Sequence, residues 1–363
     1  MNNRSMASSL KRYRMSRIIR RMAVLFLAGV MILSGSACTG KKKIVLTTGF
    51  EEGELFKIDK ATCSVSEYMV YLTNMQNMYE NTYGDQIWEM TTAEGEPLED
   101  GLKETVLSRL SRVKVMNLLA EKKKVVLSKE DEKMAKAAAK QYYESLNDTE
   151  KQLFNLTEKD FENMYREYAL ANRLYGFLVK DINPEISDDE ARTITVSHIF
   201  LRTYQVDSSG ERTEYSDSEK EAIYEKAEEI LLKLEDGEKF EDLAVSYNED
   251  EKSTFLFRRG ETDPAYEEVA FNLATDEISG IVTTPDGYYI IRCDNMFDRD
   301  ETDENKLAIL NEKRNEAFEQ EYNAFLEERT GNLNEEAWAG IHAVKDDAVH
   351  TADFFVIYGS LFQ

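Results

Sequence analysis

Few side chains in this sequence have the spacing of a catalytic or metal-binding motif. The histidines and cysteines lie in separate segments: His198, His342, His350, Cys38, Cys63 and Cys293. Metal sites in proteins place Cys and His ligands at short, fixed spacings, so the sequence predicts neither a metal centre nor a cofactor. A protein without such motifs can still catalyse a reaction that needs only hydrogen bonds and the shape of a site.

The most informative segment is about a hundred residues long and lies in the second half of the chain. It opens with a strand-like apolar run, Val196 to Leu201, and closes with a second one, Gly287 to Arg292. Two helix-like stretches, Leu234 to Ala244 and Tyr266 to Leu273, lie between them. Helix and strand patterns in this order indicate a small domain of mixed structure.

These landmarks resemble the parvulin family, the small α/β peptidyl-prolyl isomerases of extracytoplasmic foldases. In that family a His-Ile-Leu strand begins the domain and a Gly-Tyr-His-Ile-Ile strand ends it. The resemblance implies catalysis of rotation about X-Pro bonds, whose barrier of about 18–20 kcal/mol comes from amide resonance. Such catalysis needs an apolar seat for the proline ring and polar groups that favour the twisted amide over the planar one.

The resemblance assigns three catalytic positions. The first histidine of the family corresponds to His198, the Cys-or-Asp position to Asp250, and the second histidine to Tyr289. Tyr289 is a departure, because a phenol can donate a hydrogen bond but cannot share a proton with His198 as a second imidazole would. Apart from the resemblance, His198 would be interpreted as a packed histidine and Asp250 as a solvated acid in an acidic run.

The resemblance also implies a substrate-binding set, which departs further from the family. Its members are Phe257, Thr262, Tyr266, Phe271 and Thr284. Thr262 replaces a methionine, Tyr266 replaces a phenylalanine, and the glycine-rich loop that precedes Phe257 in the family is absent. We therefore expect a more polar proline seat and weak isomerisation. These aromatic residues are also typical of an ordinary core, Phe271 above all.

The N-terminal segment has the pattern of an export signal. Residues 1–37 contain seven basic and no acidic residues, an apolar run from Met22 to Leu33, and the small triplet Gly35-Ser36-Ala37 before Cys38. The run is too short to cross a bilayer as a helix. The triplet resembles the lipobox of bacterial lipoproteins, although Gly35 stands where leucine is usual, and it predicts lipidation of Cys38. The alternative is ordinary signal cleavage, which leaves a free cysteine.

The charge of the chain excludes one class of partner. Without the seven basic residues before Cys38, 38 basic residues face 70 acidic ones, a net charge of about −32. So acidic a protein is unsuited to nucleic acid, whose phosphates require a basic surface. Export would permit a disulfide between Cys63 and Cys293, but two unlinked, partly buried thiols are the favoured interpretation.

Amphipathic helices flank the parvulin-like segment. Apolar spacing and capping residues predict four helices before it, starting near Ser64, Gly101, Ser128 and Thr157, and one after it, from Glu304 to Thr330. Two β-prone runs lie at the ends. Residues 44–50 are expected to pair with residues 55–58 as a hairpin, and residues 354–358 are expected to form a strand beside it.

Together these patterns predict an α+β fold, a helical chaperone body with an inserted parvulin-like α/β domain. The expected divisions are a signal peptide (1–37), a lipid tether with a possible hairpin (38–60), N-terminal helices (61–192), the parvulin-like domain (193–297), and a C-terminal helix and tail that pack on the N-terminal helices (298–363). The resemblance implies a membrane-anchored extracytoplasmic foldase that acts on unfolded or newly exported polypeptides. A holdase with a degenerate parvulin domain is the alternative, and a lipoprotein scaffold for a cell-envelope assembly is a third.

Overall fold

The structure, a computed structural model, describes residues 49–92, 95–207 and 210–362. The predicted signal peptide and Cys38 lie outside these residues. The chain folds as two compact units: the described residues up to Asp181 join those from Asn315 onward in one unit, and Ile182–Arg314 form the other. Helices and antiparallel sheets occur in both units, and the predicted α+β class is confirmed.

The first unit begins with a β-hairpin followed by helices. Strands β1 (Glu54–Ile58) and β2 (Ala61–Ser64) pair antiparallel. The helices are α1 (Val65–Tyr83), α2 (Leu98–Lys123), α3 (Lys129–Ser145), α4 (Asp148–Phe154) and α5 (Glu158–Val179), with a 3₁₀ turn at Asp85–Glu89. The predicted partner of residues 55–58, residues 44–50, lies almost wholly outside the described chain, and β1 pairs with β2 instead.

Side-chain caps fix where these helices begin. The hydroxyl groups of Ser64, Ser128 and Thr157 each accept a hydrogen bond from a backbone N–H in the first helical turn, which satisfies a donor that has no partner within the helix. These three starts were predicted from the sequence. Helix α4 was not predicted, although Asn147 and Glu150 form a reciprocal capping box at its start.

The second unit contains a four-stranded antiparallel sheet. Its elements are α6 (Asp188–Ala191), β3 (Thr193–Arg202), the ribbon β4 (Tyr204–Val206) and β5 (Arg212–Glu214), α7 (Asp217–Glu235), α8 (Phe240–Tyr247), β6 (Thr254–Arg258), α9 (Pro264–Asn272), β7 (Ile278–Thr284) and β8 (Gly287–Asn295). The strand order is β6-β3-β8-β7, so β3 lies between β6 and β8.

Strand alternation divides the core of this unit into two clusters. Successive side chains of a strand point to opposite faces of the sheet. Ile194 and Val196 of β3 therefore pack on one face with Tyr266 and Phe271 of α9. Ile199 and Leu201 pack on the other face with α7 and α8. His198 has the same parity as Val196 and belongs to the face that carries α9.

The next helix begins in the second unit, and from Asn315 onward the chain belongs to the first unit again. Helix α10 (Arg299–Glu327) begins five residues earlier than predicted, and β9 (Gly331–Leu333) pairs antiparallel with β1. Helices α11 (Glu335–Ala339) and α12 (Phe354–Leu361) follow. The prediction of a strand at residues 354–358 is wrong, because Phe354 and Ile357 are buried one helical turn apart while Val356 is half exposed.

Aromatic side chains from distant parts of the sequence form the centre of the first unit. The Phe354 ring stacks on Tyr165 at 4.3 Å between centroids and meets Tyr71 and Tyr142 at 5.4 and 5.3 Å. The backbone of Phe354 is also held, since its N–H donates to Asn74 Oδ1 and its carbonyl accepts from the Tyr165 hydroxyl. Helix α12 is therefore part of this core.

Two further expectations concern cysteines and the membrane. Cys63 and Cys293 are both buried and not linked, as the sequence favoured. None of the helices within the described residues combines the length and the hydropathy that crossing a bilayer requires.

Candidate active site

His198 occupies the centre of the second unit's sheet. Its strand is flanked by β6 and β8, and its backbone N–H donates to Ser253 O at 2.7 Å, just before β6 begins. Its side chain faces α9 and is 4% exposed. The imidazole is also stacked on Phe255, with centroids 4.7 Å apart. The sheet therefore fixes both the position and the plane of this ring.

The two ring nitrogens of His198 have different neighbours. Nδ1 lies 2.9 Å from the Tyr266 hydroxyl, a hydrogen-bonding distance, while Nε2 lies 3.5 Å from Asp250 Oδ2 and makes no hydrogen bond to any described residue. A carboxylate only accepts hydrogen bonds. The tautomer with its proton on Nε2 is therefore favoured, and in it Tyr266 donates to Nδ1.

Asn248 holds the loop that carries Asp250. Its Oδ1 accepts from the N–H of Phe200 on β3 at 2.9 Å, and its Nδ2 donates to the carbonyls of Asp250 and Lys252 at 3.2 and 3.1 Å. The loop is thus tied to the strand that bears His198. No role for Asn248 was predicted; its position directly after α8 is the signal that was available, because Asn side chains commonly bond nearby backbone in turns.

Tyr289 lies on the neighbouring strand, β8, directly opposite Phe200 in the register of the sheet. Its ring stacks on Phe200 at 4.5 Å and meets Tyr266 edge to face at 5.0 Å. Phe200 and Phe255, which both hold rings of the site, were not predicted as site residues. Phe200 lies near His198 on β3, and Phe255 lies at the start of β6. That both residues contact rings of the site became evident only once the strand pairing was known.

Seven of the eight residues that the sequence predicted for catalysis and substrate binding line one cavity of about 330 Å³. They are His198, Asp250, Phe257, Thr262, Tyr266, Thr284 and Tyr289. Phe257 and Tyr266 give it an apolar wall, with centroids 5.9 Å apart. Phe271 is not part of the lining: it is 3% exposed and packs behind Phe257 in the core.

The two threonines of the predicted set are in different environments. The Thr284 hydroxyl donates to Gly287 O and accepts from the Asp286 N–H, so it stabilises the turn between β7 and β8. The Thr262 hydroxyl oxygen is buried and has no hydrogen-bonding partner among the described residues. A buried hydroxyl without a partner is costly, so Thr262 leaves a polar atom for a ligand to satisfy.

Burial sets the protonation of the site. It lowers the pKa of His198 to about 4, although the Asp250 carboxylate acts in the opposite direction. Burial also raises the pKa of Tyr266, and that of Tyr289, where the carboxylate of Asp286 adds to the effect. At neutral pH the imidazole and both phenols are uncharged. The site therefore offers neutral hydrogen-bond donors beside an apolar wall.

Comparison with known proteins identifies the domain that holds this cavity. Residues 182–296 match the family model of the PPIC-type peptidyl-prolyl isomerase domain. Foldase protein PrsA of Caldanaerobacter subterraneus subsp. tengcongensis is 28% identical over 327 residues, which cover 85% of this chain and 94% of that protein. The chain contains a parvulin-type isomerase domain and is similar to a PrsA foldase over most of its length. Its isomerase domain contains the whole of the cavity described above.

Other similar proteins match more distantly or over a shorter stretch. Foldase protein PrsA 2 of Listeria monocytogenes is 30% identical over 161 residues, 42% of this chain and 49% of that protein, so the chain spans about half the length of this relative. The crystal structure of PrsA from Bacillus subtilis covers 87% of this chain and 99% of its own at 23% identity, with a TM-score of 0.24. The crystal structure of PrsA from Bacillus cereus covers 88% of this chain and 99% of its own at 17% identity, with a TM-score of 0.35.

The parvulin domain can act on a prolyl bond without covalent chemistry. Rotation about that bond requires loss of amide resonance. Groups that bind the twisted amide more tightly than the planar one lower the barrier, at about tenfold in rate for each 1.36 kcal/mol of preference. A neutral imidazole N–H and a phenol O–H beside Phe257 and Tyr266 are groups of that kind.

Proposed function

We propose that this foldase is extracytoplasmic and isomerises X-Pro bonds in unfolded or newly exported polypeptides. The observation that carries the proposal is the convergence of His198, Asp250 and Tyr289 on a single cavity with Phe257 and Tyr266 in its wall. In the proposed mechanism the proline ring lies against these two aromatic rings. His198 and Tyr289 then donate hydrogen bonds to the amide as it twists.

The proposed rate is lower than that of a parvulin with the family's full set of site residues. Tyr289 replaces the second imidazole, and Thr262 introduces an unsatisfied hydroxyl where the family has a thioether. The loss of a buried contact the size of methionine commonly removes about 2–5 kcal/mol of packing. If only a small part of that is lost from the transition state, the rate falls tenfold or more.

Two further parts of the proposal concern the rest of the chain. The first unit, made of the described residues up to Asp181 and from Asn315 onward, is the body that holds client polypeptides, and the isomerase domain lies in the second unit. Cys38 becomes lipidated after cleavage of residues 1–37 and tethers the protein to the membrane. A Cys38→Ala variant that is processed and fractionates like the wild type would contradict the tether.

The proposal is tested by two assays on the same preparation. Isomerisation is measured by NMR exchange on a short prolyl peptide, and client holding is measured as suppression of aggregation of an unfolded protein. His198→Ala should slow isomerisation at least tenfold and leave holding unchanged. His342→Ala is the matched control, because His342 is exposed and lies in the other unit. Full isomerase activity in His198→Ala would refute the proposed site.

The alternative function, a holdase without isomerase activity, is favoured by one specific observation. The hydroxyl of Tyr266 uses Nδ1 of His198, and both side chains are at most 6% exposed, so little of the imidazole is accessible to a substrate. Suppression of aggregation without any isomerisation in the wild type would establish this alternative.

A further inference from the structure

The rim of the isomerase cavity is strongly acidic. Four carboxylates line it, those of Asp250, Glu261, Asp263 and Asp286, and its described lining includes neither lysine nor arginine. An excess of charge of one sign around a site favours ligands of the opposite sign. The attraction of the cavity for a cation depends on how many of the four carboxylates are already paired with a lysine or arginine of the protein.

Two of the four carboxylates are already paired with arginine. Glu261 Oε1 lies 2.9 Å from Arg258 Nε, and Asp286 Oδ1 lies 2.5 Å from Arg212 Nη1. Each pair is close to electrically neutral when seen from the cavity. Glu261 and Asp286 therefore contribute little net attraction for a cation.

Asp250 and Asp263 have no such partner among the described residues. Asp263 caps α9, its Oδ1 accepting from the N–H groups of Ala265 and Tyr266. Asp250 Oδ1 accepts from the Glu251 N–H, and its Oδ2 faces His198, which is neutral because burial lowers its pKa to about 4. Two negative charges thus remain at the cavity without a lysine or arginine to balance them.

Two polar atoms beside these charges also lack partners. His198 Nε2 and Thr262 Oγ1 are buried without a hydrogen bond to any described residue, and both residues line the cavity. Buried polar atoms are nearly always hydrogen-bonded in native proteins. The donor at Nε2 and the hydroxyl of Thr262 therefore suit the backbone of a bound polypeptide, while the two aspartates suit a cationic side chain next to it.

We infer that the cavity selects prolyl segments in which a residue next to the proline is lysine or arginine. The inference rests on the proposed function, since it names the substrate class of the same site. A cationic neighbour approaches two unbalanced carboxylates, whereas an acidic neighbour is repelled by them. The expected preference is about tenfold in kcat/KM for lysine over leucine, and greater for lysine over glutamate.

The experiment uses the full chain and matched peptides. Peptides with Lys, Arg, Leu or Glu immediately before the proline, and a second series with the same residues immediately after it, are compared by NMR exchange without a coupling protease. Each is measured at low and at high salt, because salt screens exposed charges. The series with the larger charge effect shows on which side of the proline the cation lies.

Variants that each remove one negative charge show which carboxylates cause the preference for a cationic residue. Asp250→Asn and Asp263→Asn each remove one charge, and asparagine at position 263 retains the capping function, because Asn is as good an N-cap as Asp. Both should reduce the Lys-to-Glu rate ratio severalfold. Glu228→Gln, an exposed position on α7 away from the cavity, makes the same charge change and should leave the ratio unaltered.

The outcomes separate this inference from the proposed function. If leucine, lysine and glutamate peptides are isomerised equally, the charge inference is wrong and the isomerase stands. If no peptide is isomerised, the proposed function fails, and the affinities of the same peptides, measured by fluorescence anisotropy, decide the charge preference separately. Equal affinities would then overturn it, and tighter binding of lysine peptides that Asp263→Asn abolishes would support it.

Discussion

The rings of His198 and Tyr289 meet edge to face in the isomerase cavity, with centroids 5.1 Å apart and planes at 69°. We propose that Tyr289 corresponds to the second histidine of the parvulin family. No hydrogen bond joins the two side chains; the hydroxyl of Tyr266 is the group that lies within bonding distance of His198. Tyr266 thus supports the imidazole from α9, and Tyr289 is left to present its own hydroxyl.

Restoring the second imidazole should raise the rate. We expect Tyr289→His to isomerise prolyl peptides several times faster than the wild type, and Tyr289→Phe to be slower because it lacks a donor. Isomerisation is measured by NMR exchange. Tyr288→His is the control, since Tyr288 packs with the cluster on the opposite face of the sheet. A slower Tyr289→His variant would mean that the phenol is the better group in this cavity.

Loosening the loop that carries Asp250 should impair the site without unfolding the domain. Asn248→Ala removes the hydrogen bonds to Phe200, Asp250 and Lys252. Each is worth about 1 kcal/mol, so we expect a several-fold loss of kcat together with a loss of stability of up to about 3 kcal/mol. Asn248→Asp retains the acceptor for the Phe200 N–H and should retain more activity. Equal rates for both variants and the wild type would show that the loop is fixed by other contacts.

The titration of His198 should make stability depend on pH between about 4 and 6.5. Its pKa is lowered in the folded state, so the unfolded chain binds the proton more readily. The stabilisation is complete above the unfolded pKa of about 6.5 and is lost as the pH falls through the folded pKa of about 4, a loss of about 3 kcal/mol. His198→Gln should lack this component in urea unfolding. An imidazole NMR titration of His198 with a midpoint near 6.5 would contradict it.

The turn between β7 and β8 should tolerate no side chain at Gly287. The residue has φ +149°, and a Cβ built there would lie 2.1 Å from Leu201 O and 2.9 Å from a ring carbon of Phe200. We expect Gly287→Ala to destabilise the isomerase domain by on the order of 3 kcal/mol, in thermal unfolding. Gly280→Ala, whose Cβ would have no atom within 4 Å, is the control. Equal melting temperatures for the two variants would show that a Cβ at position 287 does not clash with Leu201 and Phe200.

Local signals in the sequence were sufficient for some features. The strand that carries His198, the strand that carries Tyr289 and the capped starts at Ser64 and Ser128 depend on nearby residues, and all four were predicted. The helix at Phe354 was not predicted. Its β-prone composition is overridden by burial against Tyr165 and Tyr142, partners about two hundred positions away that no local pattern reveals.

Some features of the candidate site were likewise predicted from the sequence, and others became evident only from the structure. The positions of His198, Asp250 and Tyr289 came from a resemblance in sequence, and that they line one cavity became evident from the structure. The roles of Asn248 and Tyr266 depend on hydrogen bonds that cross from a loop and from a helix to β3. The pairing of strands and the packing of α9 determine such bonds, and a single sequence does not specify them.

The position of Phe354 bears on the order in which the chain folds. Its ring contacts Tyr165, 189 positions earlier, and its N–H bonds Asn74, 280 positions earlier, whereas the four-stranded sheet is complete within residues 193–295. Contacts between distant positions form late, because closing a long loop costs entropy before any contact forms. We therefore expect the isomerase domain to complete its fold before the first unit does. We therefore expect the segment around Phe354 to be the last part of the first unit to pack, and its arrival to complete the aromatic core.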